Sequence, residues 1–197
     1  LLAIYVDDLL LFTTTLDLAD EITAKLKSKF NCVDLGEITW CLGMRITTSA
    51  DRHVISLDLE QYLTTIVARY EFEELQSVPT PMLHDSKLTK DDSPTTHVTD
   101  EAIEDMRAYP FRSAISSLMF AMVAMRADLS YVVTCIARFS ANPGLNHWIA
   151  LVRVYQYIKG TADLKLTYSR MADTPAPLLY GYSDADWATT DIEERRT

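Results

Sequence analysis

The chain has 197 residues, 48% of them hydrophobic, which suffices for one large or two small folded units and excludes a disordered polymer. Its three cysteines, Cys32, Cys41 and Cys135, are scattered without C-x-x-C spacing, and its four histidines lack zinc-ligand spacing; both patterns argue against a disulfide framework or a structural zinc site. The net charge of −10 argues against a polyanion-binding protein only until the charges are located along the chain.

The first twelve residues, LLAIYVDDLLLF, place Asp7 and Asp8 between two apolar runs of strand length. This pattern predicts a β-hairpin with the acids at its tip. Adjacent carboxylates repel, and a divalent cation relieves that repulsion; Mg²⁺ takes oxygen ligands, often one or two carboxylates plus substrate phosphates. Two solvated turn residues are the plain alternative. Thr13, Thr14 and Thr15 supply turn and cap candidates. Leu16 to Phe30 then reads as an amphipathic helix, with Leu18, Ile22, Leu26 and Phe30 on one face and Lys25, Lys27 and Lys29 near its C-terminal end, where they complement the helix dipole. Between Cys32 and Ile46 two glycines punctuate β-prone runs and predict a small hairpin or meander. A strand follows at His53 to Leu57, then a helix at Leu59 to Tyr70 with Leu59, Leu63, Ile66 and Tyr70 inward. Val78-Pro79-Thr80-Pro81 closes this region.

Residues 71–105 hold ten acids against two lysines, and the Ser-, Thr- and Asp-rich part from 82 reads as a flexible connector. Residues 106–183 hold eight basic residues against three acids, a section able to face a phosphate backbone, although a charge run is more often a solvated face. Pro110 suits a helix first turn. Phe111 to Arg126 shows Ile115, Leu118, Met119, Met122 and Met125 at helical spacing, read as core. Asp128 to Ala141 is a second helix with Val132, Ile136 and Phe139 inward, and Asn142-Pro143-Gly144 breaks it. His147 to Lys159 is a third, with Trp148, Leu151, Val152, Tyr155 and Ile158 on one face, stopped by Gly160. A strand at Leu164 to Tyr168 and a linker at 173–177 lead to an apolar run that ends in Asp184 and Asp186. The apolar stretch Ala114 to Met125 is too short to span a bilayer, and no secretory leader is read. Both ends read as the interior of an element, so the chain is expected to be an internal fragment of a longer polyprotein.

Seven motifs in order resemble the polyprotein of copia-type LTR retrotransposons, over essentially the whole chain. Tyr5-Val6-Asp7-Asp8 resembles the YxDD box of reverse transcriptases. Asp34-Leu35-Gly36-Glu37 with Cys41-Leu42-Gly43-Met44 resembles the DLGE…LG-x-x-I stretch, and Thr80-Pro81-Met82 the TPM that closes it. Arg112-Ser113-Ala114-Ile115 through Leu118-Met119-Phe120 and Arg126-Ala127-Asp128-Leu129 resembles Y-R-S-A-I-G-S-L-M-Y…R-P-D-I. Asn142-Pro143…His147-Trp148 and Tyr157-Ile158-Lys159-Gly160-Thr161 follow the NP…HW…Y-L-K-G-T pattern. Tyr182-Ser183-Asp184-Ala185-Asp186-Trp187-Ala188 resembles the opening of the ribonuclease H domain. Phe111, Ser116 and Ala127 depart from the pattern without touching a carboxylate.

The resemblance implies an α+β fold. Residues 1–81 would hold part of a reverse-transcriptase palm, with its hairpin and small sheet, and the start of the thumb. Residues 82–106 would be the connector, 107–171 a helical thumb or connection-like section, and 172–197 a linker and the first strand of a ribonuclease H-like domain. Asp7 and Asp8 would be catalytic and hold Mg²⁺ or Mn²⁺, with Tyr5 packed behind them. Asp184 would open the nuclease metal site, with Asp186 as a further ligand. Trp40, Leu42, Gly43 and Met44 would position the primer end, with a buried β-turn as the alternative. Arg112, Arg126, Arg138 and Arg153 would contact phosphates, with ordinary surface or ion-paired arginines as the alternative. Implied partners are an RNA template, a DNA primer, RNA–DNA hybrid, deoxynucleoside triphosphates and the rest of the polyprotein, with no membrane, in a cytoplasmic virus-like particle or the nucleus. The family's palm and nuclease need further carboxylates upstream and downstream, so the chain alone is expected to be inactive. Two other readings are a decayed or domesticated remnant that binds nucleic acid without catalysis, and an unrelated structural domain.

Overall fold

The computed structural model describes residues 1–84, 86, 88–94, 106 and 108–169. Within them the chain is mixed α+β. Strands β1 (Leu2–Tyr5) and β2 (Asp8–Leu11) form an antiparallel hairpin whose register runs from Leu2–Leu11 to Tyr5–Asp8. Helix α1 (Leu16–Lys29) starts at Thr15, whose side chain accepts from the Leu18 N–H, as an N-cap threonine should. Strands β3 (Trp40–Cys41), β4 (Met44–Thr48) and β5 (Val54–Asp58) form an antiparallel meander, and helix α2 (Glu60–Arg69) follows at once. Helices α3 (Phe111–Ala124) and α5 (Leu145–Gly160) pack on α2, and α4 (Ser130–Ala137) packs on α3 and α5. Strand β6 (Leu166–Ser169) returns to pair with β5, giving the sheet order β3-β4-β5-β6.

The core lies among the four helices. Leu63 and Ile66 of α2, Leu118 of α3, Ile136 of α4 and Leu151 and Ile158 of α5 are fully buried. Burial of each such side chain stabilises the fold by roughly 1.5–3 kcal/mol. Hydroxyl bonds fix α2 against α3: Tyr62 Oη donates to the Ser117 carbonyl at 3.0 Å, and Tyr70 Oη lies 2.8 Å from Ser113 Oγ. Tyr155, wholly buried, donates to the Ala114 carbonyl at 2.9 Å, and its burial raises its phenolic pKa. A single core thus joins α2 to α3–α5, across the expected division between residues 81 and 107.

Several local expectations are corrected. Met119 is 43% exposed, and the inner face of α3 uses Phe111, Ala114, Ile115, Leu118 and Ala121. The small alanines let neighbouring helices approach, and the longer Met side chain falls outside that stripe. The helix expected from Asp128 splits into a 3₁₀ turn, Ala127–Leu129, and α4, because Asp128 is engaged by Arg126. Cys32 to Ile38 is irregular instead of strand, with Asp34 Oδ1 accepting from the Gly36 N–H in a tight turn. Part of the expected loose connector is anchored. Lys90–Asp92 forms a 3₁₀ turn, Asn146 Nδ2 donates to Asp92 Oδ1 at 2.7 Å, and Asn142 Nδ2 donates to the Pro94 carbonyl at 2.9 Å.

His147, fully buried, fastens this strap. The Gly144 N–H donates to its Nδ1 at 2.9 Å, and its Nε2 lies 3.1 Å from the Thr89 carbonyl. A carbonyl only accepts and an N–H only donates, so the bonds fix the neutral imidazole with its proton on Nε2. The ring stacks on Phe139 at 3.9 Å between centroids.

Candidate functional site

Asp7 and Asp8 sit where the sequence pattern puts them. Val6 and Asp7 form the two-residue turn, and Asp8 opens β2 opposite Tyr5. Val6 has φ 49°, a left-handed conformation that a β-branched residue adopts only at a steric cost. The carboxylates are exposed, and neither has a hydrogen bond or ion pair among the described residues. Two unengaged oxygen donors suit a hard cation such as Mg²⁺ better than a soft one. Among the described residues no group of three or more His, Cys, Asp or Glu is placed to hold a metal. Tyr5, 59% exposed, is the cross-strand partner of Asp8; it stands beside that residue instead of packing behind the acids.

The second feature is the β3–β4 turn. Leu42 has φ 50° and Gly43 φ 78°, so both central residues are left-handed, as the twist of a two-residue hairpin requires. Gly43 is suited to that conformation, and Leu42 is exposed at the turn. The turn is therefore not buried, although Met44 packs against the core. Trp40, 49% exposed, borders a groove of about 610 Å³ with Arg45, Glu60, Gln61, Thr64 and Thr65. Arg45 is clamped in this groove. Its Nε donates to Asp58 Oδ2 at 3.0 Å and its Nη2 to Glu60 Oε2 at 2.7 Å. Asp58 is 2% exposed, and Lys165 Nζ lies 3.7 Å from the same Oδ2.

The expected phosphate-contacting arginines do not form one surface. Arg126 is 3% exposed and is corrected from a surface contact to a buried tie. Its Nε and Nη2 donate to the Asp128 carboxylate, its Nη1 donates to the Thr161 carbonyl at 2.9 Å, and its guanidinium lies over the Tyr157 ring. Burial works to raise the Asp128 pKa, but the bonds and charge of Arg126 outweigh it and hold that carboxyl below the usual range. Arg153 is half-buried; its Nη2 donates to Thr80 Oγ1, and its Nε is buried without a partner among the described residues. Arg112, in the first turn of α3, and Arg138, at the C-terminal end of α4, are exposed and donate to the Ser140 and Cys135 carbonyls. Asp184, Asp186 and the nuclease-like strand lie outside the described residues.

The family model for reverse transcriptase (RNA-dependent DNA polymerase) matches residues 1–84, which include both carboxylates and the β3–β4 turn. The retrovirus-related Pol polyprotein from transposon TNT 1-94 of Nicotiana tabacum is 34% identical over all 197 residues. The chain belongs to the copia-type retrotransposon polyproteins. The retrovirus-related Pol polyprotein from transposon RE2 of Arabidopsis thaliana is 30% identical over 187 residues, 94% of this chain. The chain spans 14% of the tobacco polyprotein and 12% of the Arabidopsis one. The secreted RxLR effector protein 161 of Plasmopara viticola is 39% identical over 92 residues, 47% of this chain and 62% of its own length. No solved structure matches.

Sequence reasoning missed the Arg45–Asp58–Glu60–Lys165 network and the His147 fastening. The first carries a weak local signal, opposite charges at Arg45 and Asp58 flanking two β-prone runs. Lys165 lies over a hundred residues away, and only β6 pairing brings it there.

Proposed function

We propose that the chain supplies part of the polymerase site of a retroelement reverse transcriptase, with Asp7 and Asp8 holding divalent metal and the Trp40–Met44 turn meeting the primer end. The observation that carries this reading is the pair of unengaged carboxylates at the strained tip of a hairpin, inside the segment matched by the reverse transcriptase family. Mg²⁺ or Mn²⁺ bound there would supply the Lewis acidity that activates a primer 3′-hydroxyl and neutralises triphosphate charge. Asp7 and Asp8 place two negative charges on adjacent residues, with no cation paired to them among the described residues. Tyr5 flanks Asp8 across the hairpin, and the left-handed backbone at Val6 fixes the turn that separates the strands. Phosphoryl transfer rests on positioning and charge stabilisation, so ligand-bearing and strand-positioning residues are the parts a protein must provide. Substrates would be RNA template, DNA primer, RNA–DNA hybrid and deoxynucleoside triphosphates, with the exposed Arg112 and Arg138 meeting the backbone alongside their carbonyl bonds. Asp184 and Asp186 would belong to an adjoining ribonuclease H site. The enclosing polyprotein would work in a cytoplasmic virus-like particle or the nucleus.

The test is primer extension by the full-length polyprotein enzyme with Asp7→Asn and Asp8→Asn. Loss of extension by a factor of about 10² or more, with unchanged unfolding, supports metal-holding carboxylates. Extension at the wild-type rate overturns the reading and leaves nucleic-acid binding without catalysis as the function.

A further inference from the structure

Trp40, Arg45, Asp58 and Lys165 form one row across the four-stranded sheet. Trp40 and Arg45 are register partners on β3 and β4, and Arg45 and Asp58 are partners on β4 and β5. Lys165 immediately precedes β6, next to the Leu57–Leu166 pair, with its Nζ 3.7 Å from Asp58 Oδ2. Directly opposed residues of an antiparallel pair share a face, so the row places aromatic, cation, anion and cation side by side. Glu60, at the first turn of α2, takes the second edge of the Arg45 guanidinium. The two carboxylates and two cations balance. Arg45 is therefore committed to internal partners and is not offered as a free charge to a phosphate.

This arrangement has a mechanical consequence. The β3 strand is only two residues long and pairs only with β4, so little backbone bonding holds Trp40. Arg45 is its cross-strand neighbour, and Arg45 is fixed through Asp58, a nearly fully buried carboxylate. Lys165 and Arg45 share the Asp58 carboxylate, and Arg45 is the register partner of Trp40, so a change at Lys165 bears on this row without touching the turn or the hydrophobic core.

We infer that Asp58 and Lys165 are positioning residues for primer recognition: they hold Arg45, and through it the Trp40 ring, so that the β3–β4 turn engages a recessed primer 3′ end. This rests on the proposal that the turn meets the primer. It further makes primer positioning depend on β6, an element outside the family-matched residues 1–84.

The test measures binding of the full chain to two duplexes of the same sequence, one with a recessed 3′ end and one blunt. The variants are Lys165→Met and Lys165→Arg, at a half-exposed position where folding is not at stake. Wild type should prefer the recessed end. Lys165→Met should lower that preference about two- to fivefold, the range available to an ion pair of this exposure, while blunt-duplex affinity and thermal unfolding stay unchanged. Lys165→Arg should restore it. An undiminished preference in Lys165→Met overturns this inference alone. Equal binding of both duplexes by the wild-type chain, or no binding, overturns the primer-end reading and this inference together.

Discussion

Replacing His147 by Phe keeps the stack on Phe139 and removes both hydrogen bonds of the imidazole. The Gly144 N–H and the Thr89 carbonyl then lose their partners in a buried setting. Each orphaned group costs about 1–3 kcal/mol, so the variant should be less stable by about 2–6 kcal/mol at pH 7.5. With a urea slope of about 2 kcal/mol/M, the unfolding midpoint should fall by about 1–3 M. The pH dependence adds a second criterion. Burial lowers the His147 pKa from its ordinary 6.5, against the opposing effects of the Thr89 bond and the Asp92 charge. Above pH 6.5 the residue is neutral in both states. Below it the unfolded chain takes up the proton while the native imidazole resists, so this part of the stability is lost as the pH falls. His147→Phe has no such loss, and the gap between variant and wild type should narrow by up to about 1 kcal/mol between pH 7.5 and 5.5. Urea titrations at both pH values read both effects. Equal midpoints at pH 7.5, or a gap that widens in acid, would refute the assigned tautomer and its partners.

Two further substitutions probe the same framework. In Gly144→Ala the new Cβ would lie 1.7 Å from the Asp92 carbonyl oxygen, so the strap at 89–94 must shift; stability should drop by about 1–3 kcal/mol, and hydrogen exchange at Asp92 should quicken. Arg126→Met should destabilise by about 1–3 kcal/mol at neutral pH, reduced from the fully buried case because Asp128 retains solvent contact. The carboxyl's lowered pKa stabilises the native state above pH 3.8, and that contribution is lost as the pH falls through the native value, so the deficit should shrink in urea titrations near pH 3.

What could be read from the sequence follows the range of the interactions. The acids between two apolar runs set the hairpin tip, and the Leu18-Ile22-Leu26 spacing set α1 to within a residue of its end. Helix α5 matched its apolar period because its core face obeys i, i+3, i+4 packing. Three features were not legible, and each depends on a partner distant in the sequence. Arg126 reads as a surface cation until Thr161 and Tyr157 are brought over it. The 89–94 segment reads as loose until His147 and Asn146 hold it. Strand β6 reads as isolated until it completes the sheet bearing Trp40.

The division between what folds the chain and the site proposed for it is sharp. From residue 1 to 57 no residue is fully buried, and this stretch contains Asp7, Asp8, Trp40 and the β3–β4 turn. Every fully buried aliphatic side chain lies from Leu59 onward, on α2–α5 and the turns beside them. Substitution of an exposed, unengaged carboxylate removes no packing and orphans no buried partner, whereas substitution of Arg126 or His147 does both. Loss of extension in Asp7→Asn or Asp8→Asn, at unchanged stability, is therefore a statement about chemistry. The row from Trp40 to Lys165 is the exception that joins the two regions. Asp58 is its buried member, and it stands directly between the sheet that carries the turn and the helix that begins the core. A fault there should pass into primer positioning before it reaches global stability, because Lys165 and Glu60 are both half-exposed and the core contacts of α2 remain intact.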